Sequence, residues 1–542
     1  MEIKRAHKII LGLILFSGIL LRLPQINFPS IGYHNMKENE YVSIARNMEK
    51  TGNLIRRDVD FYHGLETGRT QETFDAYPQV PIVSYQIILG DRLFGENLWF
   101  GRLVNILFFM LAVIAAFLIA TQLTANLACG LITAALLSIM PLGVFFSRNL
   151  QQEPAAFLFM TLAILFLLRF SDDFSQKNAM RAGLGLALTT ALKMSFLIGL
   201  LPVALIFPWR KYWDEVSRKD KIRHAAFFCL PMFLLIVFWA IAGQLGLRAS
   251  LEGRVNFLDV ISPDYWKRYG PAIWRYAIAE NYGPIFLFTF LAGTVLALVN
   301  FKKDRSRLAV YLRANILALV VYFMLFSDYL NQHNYYQMPF LLFFVLSILY
   351  ILQRLGIYLE RFQLKQLHAT IVSFALVLLA SIPGIKTALY NVYSTIFYGQ
   401  DVAGEYLRYW TKPSERFFIY TWAQGYATCI YADRKCGWPK TLEEFQKAQS
   451  RWDIKYLVIY PYAMINNLPK ELGDYITANY GLELVGGMLQ NDIFMPQIAI
   501  LKRGQPYDPA AIFSGQRMPH LAKIYSTING QVPFYLVELD NK

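Results

Sequence analysis

The sequence predicts an α-helical polytopic membrane protein with a small α/β domain at its carboxyl end. Apolar residues make up 55% of the 542 residues and charged residues only 17%, whereas charged residues account for roughly a quarter of an ordinary soluble domain. Long apolar segments recur as far as residue 388, and short strand-like and helix-like runs follow them. We therefore expect a membrane bundle over residues 1–390 and a second domain over residues 391–542.

About eleven apolar segments are long enough to cross a hydrocarbon core of about 30 Å. They lie near residues 9–27, 99–121, 127–146, 154–170, 180–195, 196–209, 224–246, 283–300, 308–327, 337–353 and 368–388. Val80–Phe94 is a harder case because it is short, has Pro78 before it and Pro81 at its start, and carries the polar residues Asp91 and Arg92 near its end. The orientation of the chain depends on whether this segment crosses.

Basic clusters resolve the ambiguity. If Val80–Phe94 lies at the surface, all the Lys and Arg clusters fall on one side of the membrane, as the positive-inside rule requires. The clusters are Lys4–Lys8, Lys177–Arg181, Arg210–Arg223, Lys302–Arg307 and Arg354–Lys365. We therefore expect the amino terminus inside, and the first loop, about residues 28–98, outside together with the carboxyl-terminal domain. Because topology explains the net charge of +14, we expect no nucleic acid partner.

The carboxyl-terminal region has the pattern of an α/β domain. Strand-like runs such as RFFIY and KYLVIYP alternate with a helix-like run at residues 441–452. Cys429 and Cys436 lie seven residues apart in this region. They could form a disulfide if the region faces an oxidising compartment.

The stretch Gly32–Met48 concentrates ionisable residues in a run with helical periodicity. Its apolar stripe consists of Tyr41, Ile44, Ala45 and Met48. His34 and Lys37 fall inside that stripe, and Glu38 and Glu40 flank it. Two interpretations remain open: an ordinary interfacial helix with solvated flanks, or a helix that presents ionisable groups to protein or to a cavity.

Three charged residues stand at the outer ends of later apolar segments. Glu153 precedes Pro154, so it is either a first-turn residue favoured by the helix dipole or a carboxylate available as a base or metal ligand. Arg148 suits a phosphate because its planar guanidinium donates parallel hydrogen bonds, although an arginine at a membrane boundary can also snorkel. Lys193 lies between apolar segments and either reaches the interface or meets an anion.

The run QHNYYQMP begins another segment from the outer side. His333 could bind a phosphate, transfer a proton, ligate a metal or simply be solvated, and Tyr335 and Tyr336 are common interface residues. A divalent metal ion remains open, with Glu38, Glu153 and His333 as candidate ligands, but no spacing is diagnostic. The aromatic and basic loop that follows residue 264 could be a headgroup belt or a sugar-stacking surface.

Taken together, these residues resemble the GT-C superfamily of integral membrane glycosyltransferases that use a polyprenyl-phosphate-linked sugar. The nearest branch includes bacterial aminoarabinose transferases and protein O-mannosyltransferases, whose first outer loop typically reads Asp-Glu-x-x-Tyr-Ala-x-x-Ala-Arg, then a Pro-rich stretch, then Gly and Arg. The corresponding runs here are Lys37–Arg46, YPQVP at 77–81 and LFGENLWFGR at 93–102. The strings Arg148…Glu153-Pro154, Leu192-Lys193 and His333…Tyr335-Tyr336…Pro339 also match, so the resemblance covers roughly residues 8–390.

One departure concerns the base. The usual first-loop aspartate aligns with Lys37, so either Glu38 or Glu40 takes its role, or the chain belongs to a subgroup in which His34 contributes.

The resemblance implies an inverting transfer of a sugar from a polyprenyl-phosphate donor to a lipid, glycan or protein acceptor, on the outer face of a bacterial-type cytoplasmic membrane. Glu38 or Glu40 would be the base, and Glu153 would orient the acceptor or a metal ion. The residues assigned to the substrate and its phosphate are His34, Lys37, Arg148, Lys193, His333, Tyr335 and Tyr336. Membrane lipids would be further partners. The alternatives are a transporter or flippase for a lipid-linked sugar and an inactive scaffold.

Overall fold

The computed structural model describes residues 4–55, 57–61, 79–241, 259–362, 365–421, 424–505, 507–513 and 518–539. Tyr77 and Pro78 of the Pro-rich stretch lie outside the described residues, as do residues 242–246 of one expected span.

Twenty α-helices lie within the described residues. In chain order they are α1 (Arg5–Leu20), α2 (Asn35–Thr51), α3 (Ile82–Phe94), α4 (Trp99–Thr124), α5 (Leu127–Ile139), α6 (Pro141–Phe146), α7 (Glu153–Asp173), α8 (Gln176–Leu192), α9 (Leu201–Ile206), α10 (Trp209–Glu215), α11 (Arg218–Ile241), α12 (Pro263–Tyr276), α13 (Pro284–Val299), α14 (Arg307–Gln332), α15 (Leu341–Leu359), α16 (Gln366–Ser394), α17 (Gln400–Trp410), α18 (Ala427–Ala432), α19 (Leu442–Trp452) and α20 (Lys470–Asn479). The 3₁₀ helices Met194–Leu200 and Asn334–Phe340 and the π-helical turn Ala277–Asn281 connect some of them.

The chain divides into two compact units, which are described separately. Unit 1 comprises residues 1–26, 76–82 and 100–392, and unit 2 comprises residues 27–75, 83–99 and 393–542. The sequence predicts that the whole first loop belongs to the domain of residues 1–390. In the structure most of the described first-loop residues belong to the same compact unit as the carboxyl-terminal residues.

Unit 1 is helical, and each of the eleven predicted segments contains at least one helix. Among the described residues, six helices are long and apolar enough to cross a membrane, or up to eight if each of two bent pairs forms one span. Three other helices are shorter: α1, α5 and α8 have 16, 13 and 17 residues. The expected number of about eleven crossings therefore stays a prediction.

Glycines allow helices of unit 1 to pack closely. A Cβ atom at Gly183 of α8 would overlap the carbonyl oxygen of Phe228 in α11, and one at Gly293 of α13 would overlap that of Ser347 in α15. Close backbone approach through small residues is typical of packed helices in a membrane.

Unit 2 contains a seven-stranded sheet. Its strands are β1 (Phe417–Thr421), β2 (Cys436–Gly437), β3 (Tyr456–Tyr460), β4 (Tyr480–Gln490), β5 (Ile493–Arg503), β6 (His520–Thr527) and β7 (Gly530–Glu538), in the spatial order β2-β1-β3-β5-β4-β7-β6. β1 pairs in parallel with β2 and β3, and the remaining neighbours are antiparallel. The predicted α/β character of this region is therefore confirmed.

The core of this sheet is formed by continuously apolar strands and the helices that pack on them. Leu457 and Ile459 of β3 are fully buried, and they pack in one cluster with Phe445 of α19 and with Leu472 and Ile476 of α20. Phe445 lies on the apolar stripe of α19, whose polar residues face away from the cluster.

The two cysteines of unit 2 form a disulfide. Cys429 of α18 and Cys436 of β2 are bonded, with their Cα atoms 5.9 Å apart. The disulfide that the spacing allowed is therefore present.

Helix α2 also belongs to unit 2. It begins after His34, which has a left-handed backbone with φ of 58°, and it ends at Thr51, just before Gly52, which has φ of 69°. Glycine adopts this conformation without the steric cost that a side chain imposes. Helix α3, which covers most of the ambiguous segment Val80–Phe94, lies in unit 2 from residue 83 onward; that this segment does not cross the membrane stays a prediction.

Candidate active site

A buried ion pair connects the start of one helix of unit 1 with the end of another. Helix α7 begins at Glu153, so the carboxylate lies in its first turn, where the helix dipole favours a negative charge. Helix α8 ends at Leu192, and Lys193 has an extended backbone before the 3₁₀ helix that starts at Met194. Lys193 Nζ donates a hydrogen bond to Glu153 Oε1, and the two side chains are 11% and 5% exposed.

Aromatic rings cover the ammonium group of Lys193. Its Nζ lies 4.7 Å from the ring centroid of Tyr335 and 4.4 Å from that of Tyr336, within range of cation–π attraction. The His333 ring stacks beside both tyrosines, with centroids 5.1 and 6.0 Å away. The structure therefore brings three predicted residues of unit 1 into contact with the ammonium group of Lys193: Glu153, Tyr335 and Tyr336. His333 lies beside the two tyrosines.

Arg148 binds protein carbonyls in unit 1. Its Nη1 and Nη2 donate to the carbonyl oxygens of Pro24 and Gln25 at 2.9 and 2.8 Å. The neighbouring Ser147 accepts a 2.6 Å hydrogen bond from Arg22. These contacts connect the segment after α1 to the loop before α7, so the geometry favours an anchoring role for Arg148 over the predicted phosphate contact.

Glu280 was missed in the sequence analysis. Its Oε2 accepts a 2.9 Å hydrogen bond from Nδ2 of Asn334, the residue after His333, and its Oε1 lies 4.0 Å from Arg275. Asn281 donates to the Asn334 carbonyl at 3.1 Å. Its signal in the sequence is a lone carboxylate after the aromatic and basic loop, whose two interpretations, a headgroup belt and a sugar-stacking surface, both concern the aromatic and basic residues.

Gln151 is a second missed residue. It is fully buried, and neither atom of its side-chain amide has a hydrogen-bond partner among the described residues. A buried amide without partners is unusual in a folded protein. It lies two residues before Glu153, so it is a candidate to contact a substrate.

In unit 2, the carboxylates of α2 have different partners. Glu38 Oε2 accepts a 3.0 Å hydrogen bond from Ser30 Oγ, and Asn39 Nδ2 donates to the Ser30 carbonyl at 3.1 Å. Glu40 forms an ion pair with Lys37 at 2.9 Å. Glu38 and Glu40 are 5% and 4% exposed, so the predicted solvated interfacial helix does not describe these two groups.

Residues of the carboxyl-terminal region hold α2 within unit 2. Arg46, the arginine of the first-loop motif, donates a hydrogen bond to the Ile430 carbonyl, and Lys50 forms an ion pair with Asp433 at 2.7 Å. Before the helix, the amide of Asn35 donates to the Gln424 side chain at 3.1 Å. These contacts join segments nearly four hundred residues apart in sequence.

A buried aspartate follows α2. Asp60 Oδ2 accepts hydrogen bonds from Ser43 and Asn47 of α2 at 3.3 and 3.1 Å, and its carbonyl accepts one from the amide of Cys436. Burial raises the pKa of the Asp60 carboxyl above its ordinary value, although Lys50 and the bond from Asn47 act in the opposite direction.

The candidate residues thus form two sets, one in each unit. Unit 1 holds Arg148, Glu153, Lys193, His333, Tyr335 and Tyr336, and unit 2 holds His34, Lys37, Glu38 and Glu40. In the described part of the chain, no group of three or more His, Cys, Asp or Glu side chains is arranged to hold a metal ion. The predicted metal ligands therefore do not assemble there.

Comparisons with known proteins find relatives in sequence over part of the chain and in structure over most of it. The sequence model of the dolichyl-phosphate-mannose-protein mannosyltransferase family matches residues 78–239. The undecaprenyl phosphate-alpha-4-amino-4-deoxy-L-arabinose arabinosyl transferases of Pseudomonas aeruginosa and Pseudomonas paraeruginosa are each 31% identical over 178 residues. Each of these alignments spans 31% of this chain and 31% of the relative.

Solved structures are similar over most of the chain. The oligosaccharyltransferase AglB of Archaeoglobus fulgidus, in complex with an inhibitory peptide and a dolichol-phosphate, has a TM-score of 0.57 and 12% identity, and the match covers 91% of this chain and 74% of that one. ArnT of Cupriavidus metallidurans bound to undecaprenyl phosphate has a TM-score of 0.52 and 13% identity, with 93% and 98% covered. The mycobacterial arabinofuranosyltransferase AftD has a TM-score of 0.54 and 14% identity, with 96% and 41% covered. The chain is thus a polytopic membrane protein with the fold of the GT-C glycosyltransferases.

Proposed function

We propose that this protein transfers a sugar from a polyprenyl-phosphate donor to a lipid, glycan or protein acceptor. The buried Lys193–Glu153 pair beneath two tyrosine rings carries the proposal. Both residues lie inside the segment that matches the mannosyltransferase family. Solved proteins of the same fold bind dolichol-phosphate and undecaprenyl phosphate, which supports a lipid phosphate as the ligand.

Lys193 is the group best suited to hold the phosphate. Its ammonium is mostly buried, and Glu153 supplies the counter-charge in the structure. A phosphate that reached Lys193 would share this charge, and His333, whose ring stacks on that of Tyr335, would be a further hydrogen-bond donor beside it. Because the phosphate oxygen gains charge as the sugar leaves, a fixed cation in a partly dry site stabilises the transition state more than the ground state.

Glu38 is the better candidate for the base. In a single displacement the acceptor oxygen attacks the anomeric carbon, its proton passes to a carboxylate, and the bonding electrons leave with the phosphate oxygen, so the configuration inverts. Glu40 is paired with Lys37, which makes it a weaker proton acceptor, and Glu38, in the first turn of the same helix, accepts a hydrogen bond from Ser30. Glu153, paired with Lys193, would position the acceptor or the ammonium group.

The reaction would take place on the outer face of a bacterial-type cytoplasmic membrane, with the amino terminus inside. The basic clusters support this orientation because all of them fall on one side. The Cys429–Cys436 disulfide supports it independently, since disulfides persist in oxidising compartments.

Purified protein in proteoliposomes tests the proposal. The substrates would be undecaprenyl phosphates that each carry a different sugar, together with a membrane lipid extract as acceptor, and mass spectrometry would measure the undecaprenyl phosphate released. We expect release from at least one donor and a sugar-modified acceptor. Movement of intact donor between leaflets without release would support a flippase instead, and no reaction with any donor would refute the proposal.

The same preparation tests the metal. The proposal routes no step through a metal ion, so treatment with a chelator is expected to leave turnover unchanged. If the chelator abolished turnover and one divalent ion restored it, the expected independence from metal would be contradicted.

A further inference from the structure

A polar cavity lies within unit 2, beside helix α2. It has a volume of about 510 Å³, within the range of small-molecule sites. Asn39, Val42 and Arg46 of α2 line it, together with Tyr431 of α18 and residues of α3 and α17. The mechanism proposed above does not use this cavity.

The cavity faces a different side of α2 from the ion pair at its start. At 100° per residue, Asn39, Val42 and Arg46 fall within about 60° of arc, and Lys37 and Glu40 lie on the other side of the helix. Glu38 lies between the two faces, and the Ser30 hydroxyl that it accepts from also lines the cavity. The cavity therefore adjoins the proposed base without containing it.

The charges that line the cavity balance one another. The described lining residues include three basic and three acidic side chains: Arg46, Arg408, Lys523, Asp91, Glu96 and Glu405. Glu96 pairs with Arg46 and lies 4.0 Å from Arg408, and Lys523 lies 3.8 Å from Glu405. A phosphate or a polyamine would meet as many like charges as opposite ones, so the lining favours an uncharged ligand.

One buried acceptor on the cavity wall lacks a partner. Asn39 is fully buried; its Nδ2 donates to Ser30, but its Oδ1 has no hydrogen-bond partner among the described residues. Leaving a buried acceptor unsatisfied is unfavourable, because the acceptor loses its hydrogen bonds to water and gains none in return. A hydroxyl group in the cavity would satisfy it.

We propose that this cavity binds a neutral saccharide. Adjacent hydroxyls of a sugar need donors and acceptors side by side: guanidinium groups donate, carboxylates accept, and the amides of Asn27 and Asn39 can do both. The Tyr431 ring offers an apolar face for the ring hydrogens of a pyranose. The inference rests on the proposed function for its role, in which the cavity holds a glycan part of the acceptor.

Binding can be measured without any transfer reaction. Full-length protein in nanodiscs would be titrated with maltose, mannobiose, cellobiose and lactose, and separately with inorganic phosphate, by saturation-transfer NMR and calorimetry. We expect at least one disaccharide to bind saturably and phosphate not to compete. If no disaccharide binds, or if phosphate displaces the one that does, the proposal is overturned.

Two variants connect the binding to the cavity. Arg408→Ala removes a lining side chain that is half exposed and is expected to weaken the disaccharide about tenfold; Asn39→Ala is expected to do at least the same. The matched control is Arg92→Ala, because Arg92 is an exposed arginine of the same unit, pairs with Glu49 and does not line the cavity. Unchanged affinity in Arg408→Ala refutes the assignment even if Asn39→Ala does not fold.

The result is independent of the donor assay. Saccharide binding by a protein that releases no undecaprenyl phosphate would overturn the proposed function and leave the cavity assignment intact. Turnover without saccharide binding would overturn the cavity assignment and leave the proposed function intact.

Discussion

The Lys193–Glu153 pair of unit 1 and the acidic helix α2 of unit 2 both bury carboxylates, but they compensate them differently. In unit 1 the counter-charge is a lysine that is itself 11% exposed. In unit 2 Glu40 pairs with a lysine that is 42% exposed, Glu38 accepts a hydrogen bond from Ser30, and the helix is held by contacts with Ile430 and Asp433. Because a carboxylate bonded to a buried ammonium is a poor proton acceptor, the difference separates a phosphate-holding centre from a base.

The largest effect is expected from breaking the buried pair. Lys193→Met should lower kcat by about 10²–10³-fold, because one fixed charge is lost from the transition state. It should also destabilise unit 1 by about 3–5 kcal/mol, because Glu153 stays buried without its counter-charge. Turnover and thermal unfolding of the detergent-solubilised protein would measure both effects.

A double variant separates the two effects. Lys193→Met with Glu153→Gln removes both charges, so stability should largely return while turnover stays low. The matched control is Lys50→Met, which breaks a surface pair with Asp433 and should cost at most about 1 kcal/mol. If the double variant regained turnover, Lys193 would not be the phosphate ligand.

The next effect distinguishes the two glutamates of α2. Glu38→Gln should lower kcat by about 10²–10⁴-fold, in the range of a lost general base, while Glu40→Gln should reduce it much less because Glu40 is engaged with Lys37. Initial rates at saturating donor would measure the difference. Wild-type turnover by Glu38→Gln would exclude Glu38, and a larger loss in Glu40→Gln would reverse the assignment.

The disulfide variant should affect unit 2 alone. Cys429→Ser with Cys436→Ser opens the short loop that carries Ile430 and Asp433, the partners of Arg46 and Lys50. Chain entropy predicts a loss of about 2 kcal/mol for so short a loop. Limited proteolysis of the carboxyl-terminal region would detect it. Equal protease sensitivity with and without the disulfide would contradict a role in supporting α2.

The smallest effect concerns pH. Burial raises the pKa of Asp60, so the folded state binds this proton more tightly than the unfolded state does. The contribution of Asp60 to the free energy of unfolding is therefore complete below the pKa that Asp has in the unfolded chain. It is lost as the pH rises through the pKa of Asp60 in the folded protein. Asp60→Asn should raise the melting temperature at neutral pH and flatten its pH dependence between pH 4 and 7, relative to wild type. An unchanged pH profile would contradict this.

Local signals made much of the fold predictable. Every predicted span contains a helix because the length of an apolar run is a local property of the sequence. The strands around Leu457 and the helical run of α19 were visible for the same reason. The number of crossings was not settled, because α5 and α8 are too short for length alone to decide.

Non-local contacts were beyond the sequence. Glu153 and Lys193 were both singled out, but their pairing depends on how α7 and α8 fold together. Arg148 was assigned to a phosphate although Pro24 and Gln25, more than 120 residues earlier, accept its hydrogen bonds. The grouping of α2 with the carboxyl-terminal region depends on contacts between segments nearly four hundred residues apart, which no local pattern reports.

The most direct test of the account asks whether both sets of residues face the same side of the membrane. Lys37, 42% exposed, and Gln332, beside His333, would be replaced singly by cysteine in a Cys129→Ser/Cys229→Ser background. A membrane-impermeant maleimide applied to spheroplasts should label both, and a Lys303→Cys control should react only after permeabilisation. Labelling of Lys37→Cys and Gln332→Cys from opposite sides would contradict a single outer-face reaction.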